Sequence, residues 1–263
     1  MNPDADGKLV SALVRGVSIL RCFSNKCQEL SGKELMEMTG LPKPTLFRLT
    51  ETLCGLGLLR YSERLSKYVP GLALLNLSSP VLARMALRQF ARPQMQALAD
   101  FAEGQVQLAV GFKRELCLVE QANSLGNPIF RPEVGVRASL SRTASGRAYL
   151  LGLPEGERQA YLAELRQSDA PRASALEQRL EDARRDLADH GFCRSHGDLH
   201  RELQSIAVAL SQPLDGELWV FALTLPIYSP LCGRLETEVG PRLLTLVRSV
   251  EGVLGLGSSH QAY

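Results

Sequence analysis

The chain has 263 residues, of which 45% are hydrophobic, and its formal net charge is +2. A chain of this length suits about two domains, and its hydrophobic content is ample for two packed cores. The charge is unevenly distributed, because residues 8–71 carry ten Lys and Arg against five acidic side chains. A basic segment on a nearly neutral chain favours a polyanionic partner for that segment.

The sequence lacks the features that direct a chain to a membrane or an oxidising compartment. No apolar run approaches the length of a membrane span, and Asp4 and Asp6 stand where a signal peptide has cations. The six cysteines follow no paired spacing, which is typical of reduced and mostly structural thiols. We therefore expect a cytoplasmic protein.

Two helices joined by a tight turn are predicted between residues 31 and 57. Ser31 to Glu34 has the form of a capping box, so a helix begins there, and Gly40 to Pro42 ends it. Pro44 suits the first turn of a second helix, which Gly57 closes. The buried side of this second helix carries a regular stripe of leucines, namely Leu46, Leu49, Leu53 and Leu56.

The opposite side of the second helix resembles a DNA-recognition helix, which presents its first residues to base edges in the major groove. Residues 58–61 and 67–70 then form two short strands around a polar tip, like a wing whose cations track phosphates. Helix-turn-helix look-alikes are common in all-α proteins, so the hairpin and its cations are what favour a DNA reader. The predicted DNA-binding residues are Lys43, Pro44, Thr45, Phe47 and Arg48 on the helix, and Arg60, Arg64 and Lys67 on the wing.

A helical connector is predicted after the wing. Pro80 after Ser79 marks a helix start, and residues 81–102 are rich in helix formers. Pro93 interrupts them, which predicts a break or kink near Arg92 and a second helix beyond it.

The remainder of the chain alternates between strand and helix patterns. Hairpins are predicted from residues 105–112 with 116–119, and from residues 203–210 with 218–225. Antiparallel hairpins with helices over one side of the sheet indicate an α+β domain. The predicted helices cover residues 144–151, 155–165, 173–189 and 236–254.

Several short stretches together carry a family resemblance. They are residues 14–20, residues 34–35 and 39–43 with Thr45 and Arg48, residues 68–71, and the C-terminal stretches 143–148 and 206–209. In this order they resemble the IclR-type bacterial transcriptional regulators.

The resemblance implies a domain plan. It places a winged helix-turn-helix domain at residues 8–72, a linker helix at 73–92, and a GAF-like effector-binding domain with an antiparallel sheet at 93–256. It also implies a homodimer, or a tetramer built from two dimers, in which the linker helix meets the same helix of a second subunit.

A candidate ligand site lies at the predicted helix N-terminus near residue 143. Thr143, Ala144, Ser145 and Gly146 bring small side chains to free backbone amides and to the positive end of the helix dipole, which favour a carboxylate. A simple N-cap would explain the same residues without a ligand. The resemblance implies that strand residues Leu203, Ser205 and Thr224 face the same cavity, which suits a small organic-acid or aromatic-acid effector.

Cys193, His196 and His200 form a second constellation, whose spacing could ligate zinc. A structural zinc site needs four ligands, and no fourth Cys or His lies nearby in the sequence. Cys193 with His196 as nucleophile and base would lack an orienting group. The sequence also contains no phosphate-binding loop, dinucleotide fingerprint or serine elbow. We therefore expect no metal, no cofactor and no enzymatic activity.

Two interpretations of function follow. In the first, the protein is a DNA-binding transcriptional regulator, a repressor rather than an activator, and a small acid bound in the C-terminal domain controls its affinity for operator DNA. In the second, the C-terminal domain is an enzyme or a metal-dependent sensor tethered to a DNA-binding module. Metal content and turnover of candidate acids would separate the two.

Overall fold

The computed structural model describes residues 9–112, 114–125 and 133–256, so residue 8, where the first domain is predicted to begin, lies outside the described residues. The chain divides into two compact units between Arg84 and Met85. We call them the N-terminal unit and the C-terminal unit and describe each by itself. The predicted domain limits at residues 72 and 92 stay predictions.

The N-terminal unit has the architecture of a winged helix-turn-helix, as predicted. Two helices separated by a tight turn are followed by a two-stranded antiparallel hairpin and a further helix. In chain order the elements are α1 (Ser11–Leu20), α2 (Gly32–Thr39), α3 (Lys43–Gly55), β1 (Leu59–Ser62), β2 (Lys67–Pro70) and α4 (Ala73–Arg84).

Local signals in the sequence explain the turn between α2 and α3. The Ser31 Oγ accepts from the Glu34 backbone N–H at 3.3 Å, and the Glu34 carboxylate accepts from the Ser31 N–H at 2.7 Å. This is the predicted capping box, and it satisfies two amides that the helix start leaves unpaired. Gly40 ends α2 at φ 68°, a left-handed conformation that glycine adopts without steric cost.

The core of the N-terminal unit corrects the predicted leucine stripe. Leu46 and Leu53 are buried, but Leu56 is 63% exposed because α3 ends at Gly55 and Leu56 is already its C-cap. Thr50 takes an inward position instead, and its Oγ1 lies 3.3 Å from the hydroxyl of Tyr68 on β2. A buried hydroxyl with a partner of this kind ties α3 to the hairpin.

The connector also differs from its prediction. Pro80 lies inside α4, so the predicted helix start at Ser79 and Pro80 is wrong. The helix breaks at Met85, between α4 and α5 (Ala86–Ala102), and Pro93 lies inside α5, so the predicted break near Arg92 is also wrong. Proline removes one backbone hydrogen bond from the ladder. Because Ala91 and Met95, on either side of Pro93, are fully buried in the core, their packing holds the helix through it.

The C-terminal unit contains an antiparallel sheet in which β5-β4-β3-β8-β7-β6 are neighbours. Its predicted strands are confirmed, although one of them is longer than expected. Two short strands at the edges of the sheet were not predicted. The strands are β3 (Gln105–Phe112), β4 (Glu115–Asn123), β5 (Arg137–Ser139), β6 (Cys193–His196), β7 (Leu203–Ala209) and β8 (Trp219–Pro226).

Helices cover both faces of this sheet, so the predicted arrangement over one side is wrong. α5 and the last helix pack on large side chains such as Leu108 and Phe221, and the other three helices pack on the opposite face. Consistent with helices on both faces, every residue of β8 is buried. These helices are α6 (Ala144–Gly152), α7 (Glu155–Ser168), α8 (Ala170–His190) and α9 (Gly240–Val253).

The last helix is shorter than predicted. A 3-10 turn over Pro230–Arg234 and a π-type turn over Leu235–Val239 precede it, and these irregular turns replace the expected first turn at residue 236. Across the described ranges, no helix is both long enough and apolar enough to cross a membrane.

Small residues allow α6 to lie close to the sheet. Ala207 and Ala222 are register neighbours under this helix. A Cβ atom added to Gly152 would lie 3.3 Å from the Cβ of Ala209, so the helix and the strand are already in contact. This close packing determines where α6 begins and therefore where its N-terminus meets the cavity described below.

Candidate functional site

The first candidate surface is the start of α3. Lys43, Pro44, Phe47 and Arg48 are exposed and Thr45 is half-buried, while Leu46 points into the core. The Lys43 ammonium lies 5.8 Å from the centre of the Phe47 ring, so the two side chains form one exposed surface. The helix therefore presents the predicted residues outward, and contact with DNA stays a prediction.

The wing adds a second set of cations. Arg60 and Arg64 are exposed, whereas Lys67 is half-buried with its Nζ 3.8 Å from the Glu34 carboxylate. Hydrogen bonds from the backbone and side chain of Ser31 lower the pKa of Glu34, and Lys67 lowers it further. Because this carboxylate stays ionised, Lys67 is partly neutralised and offers less to a phosphate than Arg60 or Arg64.

The second candidate site is a cavity of about 730 Å³ in the C-terminal unit. One side of it is formed by a row of register neighbours across four strands, which we call the polar row: Gln105, Thr224, Ser205 and Ser195. The next row of the same face carries Ala222 and Ala207, which lie under α6. The cavity therefore opens where the sheet face changes from small apolar residues to polar ones.

Six of the seven predicted effector residues line this cavity: Thr143, Ala144, Ser145, Leu203, Ser205 and Thr224. Gly146 does not, because it faces the backbone of Leu140 so closely that an added Cβ would overlap it. Gly146 therefore has a packing role that a larger residue could not fill. Whether the other six bind an effector is not tested by their position alone.

The N-terminus of α6 is well defined. The Thr143 Oγ1 accepts from the Gly146 N–H at 2.9 Å and donates to the Ser139 carbonyl at 2.8 Å. The N–H groups of Ala144 and Ser145 belong to the first turn and have no acceptor within the helix. The capping hydroxyl is thus present together with amides that a ligand could use.

Among the described residues, four arginines that the sequence did not predict also line the cavity, and two of them are paired. Arg137 lies 2.8 Å from Glu115, and Arg114 contacts Glu164. Their charges are compensated within the protein, so neither is left over for a ligand.

The other two arginines have no acidic partner among the described residues. Arg172 of α8 donates to Ser141 Oγ at 2.7 Å and to Ser139 Oγ at 3.0 Å, both neutral hydroxyls. Arg142 is exposed and stands directly before Thr143. Both guanidinium groups therefore bring uncompensated positive charge to the segment that precedes α6.

Asp198 is half-buried and lies in an ion-pair cluster at the cavity wall. It contacts Arg147 of α6, accepts from Ser195 Oγ at 2.9 Å, and lies 3.5 Å from Arg179. Burial opposes its ionisation, but Arg147, Ser195 and Arg179 outweigh that effect, so the pKa of Asp198 falls below its ordinary value. The cluster joins the start of α6 to the turn after β6.

Four amide side chains, which we call the amide cluster, lie beside one another on β3 and β4: Gln105, Gln107, Gln121 and Asn123. Gln105 is only 2% exposed, and its Nε2 donates to Asn123 Oδ1 at 2.8 Å and to Gln121 Oε1 at 3.3 Å. Its Oε1 accepts from Gln107 Nε2 at 2.8 Å. Gln105 and Gln107 both line the cavity.

The structure separates the Cys193, His196 and His200 constellation. Cys193 is fully buried under the helices, and burial raises the pKa of its thiol to about 12. His196 is exposed on the edge strand, with its Nδ1 3.2 Å from Gln204. Among the residues that can be described, no three His, Cys, Asp or Glu side chains come together as metal ligands. Within the same stretch, Ser195, Asp198, Leu199 and His200 line the cavity.

A winged helix-turn-helix followed by a sheet domain with a ligand-sized cavity defines a class of effector-controlled transcriptional regulators. Two family models match the chain. The IclR helix-turn-helix domain matches residues 12–63, and the C-terminal domain of bacterial IclR transcriptional regulators matches residues 79–225. The chain therefore belongs to the IclR family of transcriptional regulators.

Known relatives agree with this assignment. The HTH-type transcriptional regulator TsaQ1/TsaQ2 of Comamonas testosteroni is 29% identical over 245 residues, which are 92% of this chain and 88% of that protein. An IclR-family regulator from Brucella abortus has a similar crystal structure, with TM-score 0.81 and 33% identity over 97% of this chain and 96% of that one.

A more distant structure shows the same fold. It is an IclR homologue from Microbacterium hydrocarbonoxydans, solved as a complex with 4-hydroxybenzoate. Its TM-score is 0.68 at 20% identity, and the match covers 90% of this chain and 99% of that one.

Proposed function

We propose that this regulator responds to a small carboxylic acid bound in the cavity of the C-terminal unit, between the start of α6 and the polar row. The single observation that carries the proposal is the excess of positive charge at this site. Arg142 and Arg172 line the cavity without an acidic partner among the described residues, beside the free amides of Ala144 and Ser145.

The nearby ion pairs strengthen this argument. The three acids at the cavity wall, Glu115, Glu164 and Asp198, each contact an arginine, and Asp198 contacts two. Among the described residues that line the cavity, an entering anion therefore meets no carboxylate without an arginine partner, but it does meet guanidinium donors without an acidic partner. The Microbacterium protein of the same fold was solved with 4-hydroxybenzoate, which is itself an aromatic acid.

Calorimetry with matched pairs of ligands tests the proposal. We expect carboxylic acids such as benzoate to bind the full-length protein at least about tenfold more tightly than the corresponding amides, because the amide carries no charge for the arginines. Native mass spectrometry of the purified protein would show any acid carried through purification. An amide that binds as tightly as its acid would overturn the proposal.

On the DNA side, we propose that the start of α3 enters the major groove and that the wing contacts phosphates. The exposure of Lys43, Phe47 and Arg48 supports the first contact, and the unpaired cations Arg60 and Arg64 support the second. Footprinting should show that the protein protects the major groove and the neighbouring phosphates of its operator. Protection that is unchanged when the start of α3 is altered would contradict the assignment.

We also propose that the protein binds its operator as a homodimer or as a dimer of dimers. A single DNA-binding domain of roughly 70 residues binds DNA weakly at cellular salt. In a dimer, binding of the first domain raises the effective concentration of the second at the DNA, which raises the overall affinity. Leu87 of the predicted linker helix is buried in its own unit and is therefore not available to a partner subunit. α4 supplies a better surface, since Leu75, Leu77 and Val81 are each more than half exposed. A monomer by light scattering that still bound its operator tightly would contradict this.

We also propose that the protein is a repressor and that it is located in the cytoplasm. Occupying an operator blocks transcription with no surface beyond the DNA reader, so repression requires the least of this fold. Deleting the gene should raise transcript levels from the operator-bearing promoter, and adding the acid should do the same. A fall in transcript on deletion would make the protein an activator.

A further inference from the structure

We infer that the effector carries a neutral hydroxyl group in addition to its acid, and that Gln107 is the residue that recognises this hydroxyl. The inference deepens the proposed function and rests on it, because it concerns a second subsite of the same cavity. It is carried by the direction of the hydrogen bonds within the amide cluster, which leaves one defined acceptor for a ligand.

The amide cluster fixes which atom of Gln107 is left over. Gln105 Nε2 donates to Asn123 Oδ1 and to Gln121 Oε1, and Gln105 Oε1 accepts from Gln107 Nε2. With Gln105 in this orientation, Gln107 donates its Nε2 to Gln105 Oε1, because two amide oxygens would repel each other there. Gln107 Oε1 is therefore directed away from Gln105.

This oxygen and the second Nε2 hydrogen of Gln107 have no partner within the described part of the chain, and Gln107 lines the cavity. Its immediate support is rigid, because Gln105 is buried and held by three side chains. A preorganised amide of this kind binds a matching group with little loss of side-chain entropy. The structure thus offers an acceptor at a fixed place in the site.

A hydroxyl donor stands nearby in the same polar row. Thr224 is the cross-strand neighbour of Gln105, and its Oγ1 lies 2.9 Å from Ser205 Oγ. The two hydroxyl groups carry two hydrogens in total, and the hydrogen bond between them uses one. The pair can therefore donate the other hydrogen to a ligand. The subsite therefore presents both an acceptor and a donor.

A ligand hydroxyl matches this pair of groups, since it donates to Gln107 Oε1 and accepts from the Ser205–Thr224 pair. The acid group belongs at the arginine end, because Arg142 and Arg172 bring the uncompensated positive charge there. An apolar group would displace water from the Gln107 amide without replacing its hydrogen bonds, which costs affinity.

The test uses three pairs of acids that differ by one hydroxyl: 4-hydroxybenzoate and benzoate, 4-hydroxyphenylacetate and phenylacetate, and 6-hydroxyhexanoate and hexanoate. Calorimetry on the full-length protein gives the affinity ratio within each pair. In at least one pair we expect the hydroxy acid to bind about tenfold or more tightly, and we expect Gln107→Leu to bring that ratio close to one without weakening the plain acid.

Gln121→Leu is the matched control, because Gln121 belongs to the same cluster and faces Gln107 across the strands but does not line the cavity. This variant should keep the preference for the hydroxyl. Thermal unfolding of both variants checks that they fold.

The outcomes distinguish this inference from the proposed function. If plain and hydroxylated acids bind equally in every pair, or if Gln107→Leu keeps the preference, the inference is wrong while the acid site stands. If Gln121→Leu loses the preference as fully as Gln107→Leu, recognition belongs to the cluster as a whole and the assignment to Gln107 is wrong. If no acid binds the unmodified protein, both proposals fail together.

Discussion

The two units treat charged side chains in opposite ways. On the N-terminal unit, Arg48, Arg60 and Arg64 are exposed and form no ion pair with other described residues, so they are available to a large external polyanion. In the C-terminal unit, most charges at the cavity wall are paired, and only a local excess at the start of α6 remains. The first arrangement suits many weak phosphate contacts over a surface, whereas the second suits one small anion in a confined space.

This contrast has energetic consequences. Exposed cations are screened by salt and contribute small increments that depend on ionic strength. Charges at a partly closed cavity are screened less, so one misplaced charge there has a large effect. The following substitutions test the contrast in order of expected size.

Ser145→Asp should have the largest effect, since it places a carboxylate on the first turn of α6 inside the cavity. An acid ligand and this side chain cannot both be ionised in the site, so affinity for the acid should fall by about a hundredfold or more. Calorimetry with the bound acid measures the loss. Ser174→Asp, on the exposed face of α8, is the control and should bind normally, as should operator DNA for both variants. Normal acid binding by Ser145→Asp would place the effector elsewhere.

Arg48→Ala should weaken operator binding by about 1–3 kcal/mol if the side chain reads a base, which is roughly 5- to 150-fold in affinity. The loss should then be larger on the operator than on scrambled DNA. A uniform loss with a smaller salt dependence would instead indicate a phosphate contact. Arg185→Ala removes one exposed positive charge from the other unit and controls for net charge. Equal binding by Arg48→Ala and the unmodified protein would remove Arg48 from the interface.

Asp198→Asn should destabilise the C-terminal unit by about 2 kcal/mol at pH 7, because it leaves Arg147 buried without its carboxylate. The pKa of Asp198 is lowered in the folded state, so its contribution is present above the unfolded pKa of about 4 and is lost as the pH falls below it. The difference in unfolding free energy between variant and unmodified protein should therefore shrink from pH 5 towards pH 3. A difference that stays constant over this range would show that the ion pair does not stabilise the fold.

Arg64→Ala should have the smallest effect. Losing one phosphate contact should reduce the slope of log affinity against log salt by about one and weaken operator and scrambled DNA alike. Lys67→Ala offers the comparison, because Glu34 already compensates that charge and the slope should change less. If Lys67→Ala changed the slope more than Arg64→Ala, the account of the wing would be wrong.

The features that the sequence could predict are those determined by residues close together in the chain. The capping box at Ser31, the turn at Gly40 and the strand at residues 105–112 depend on neighbouring residues, and all three were predicted correctly. The failed predictions have two different causes. Leu56 is exposed because α3 ends early, and Pro93 stays helical because Ala91 and Met95 are buried against the rest of the unit.

The residues that line the cavity also divide into those that were predicted and those that were missed. Thr143 and Ser145 were found from a local helix signal, and the resemblance supplied Ser205 and Thr224. Gln107 and Asp198 come from separate segments that the pairing of β3 with β8, β8 with β7 and β7 with β6 brings to one cavity, and Arg172 reaches the same cavity from α8. The edge strands β5 and β6 were missed because three or four residues carry too little periodicity to be recognised.

The small residues under α6 give this regulator a route to new responses during evolution. Ala207 and Ala222 determine how closely the helix approaches the sheet, yet neither lines the cavity. A larger residue at either position would lift α6 and move Ser145 relative to Thr224, which would alter the ligand preference while leaving every cavity-lining side chain unchanged. Paralogues with identical cavity residues could therefore differ in inducer, and a biosensor library directed at these two alanines would explore preferences that mutation of the lining itself would miss.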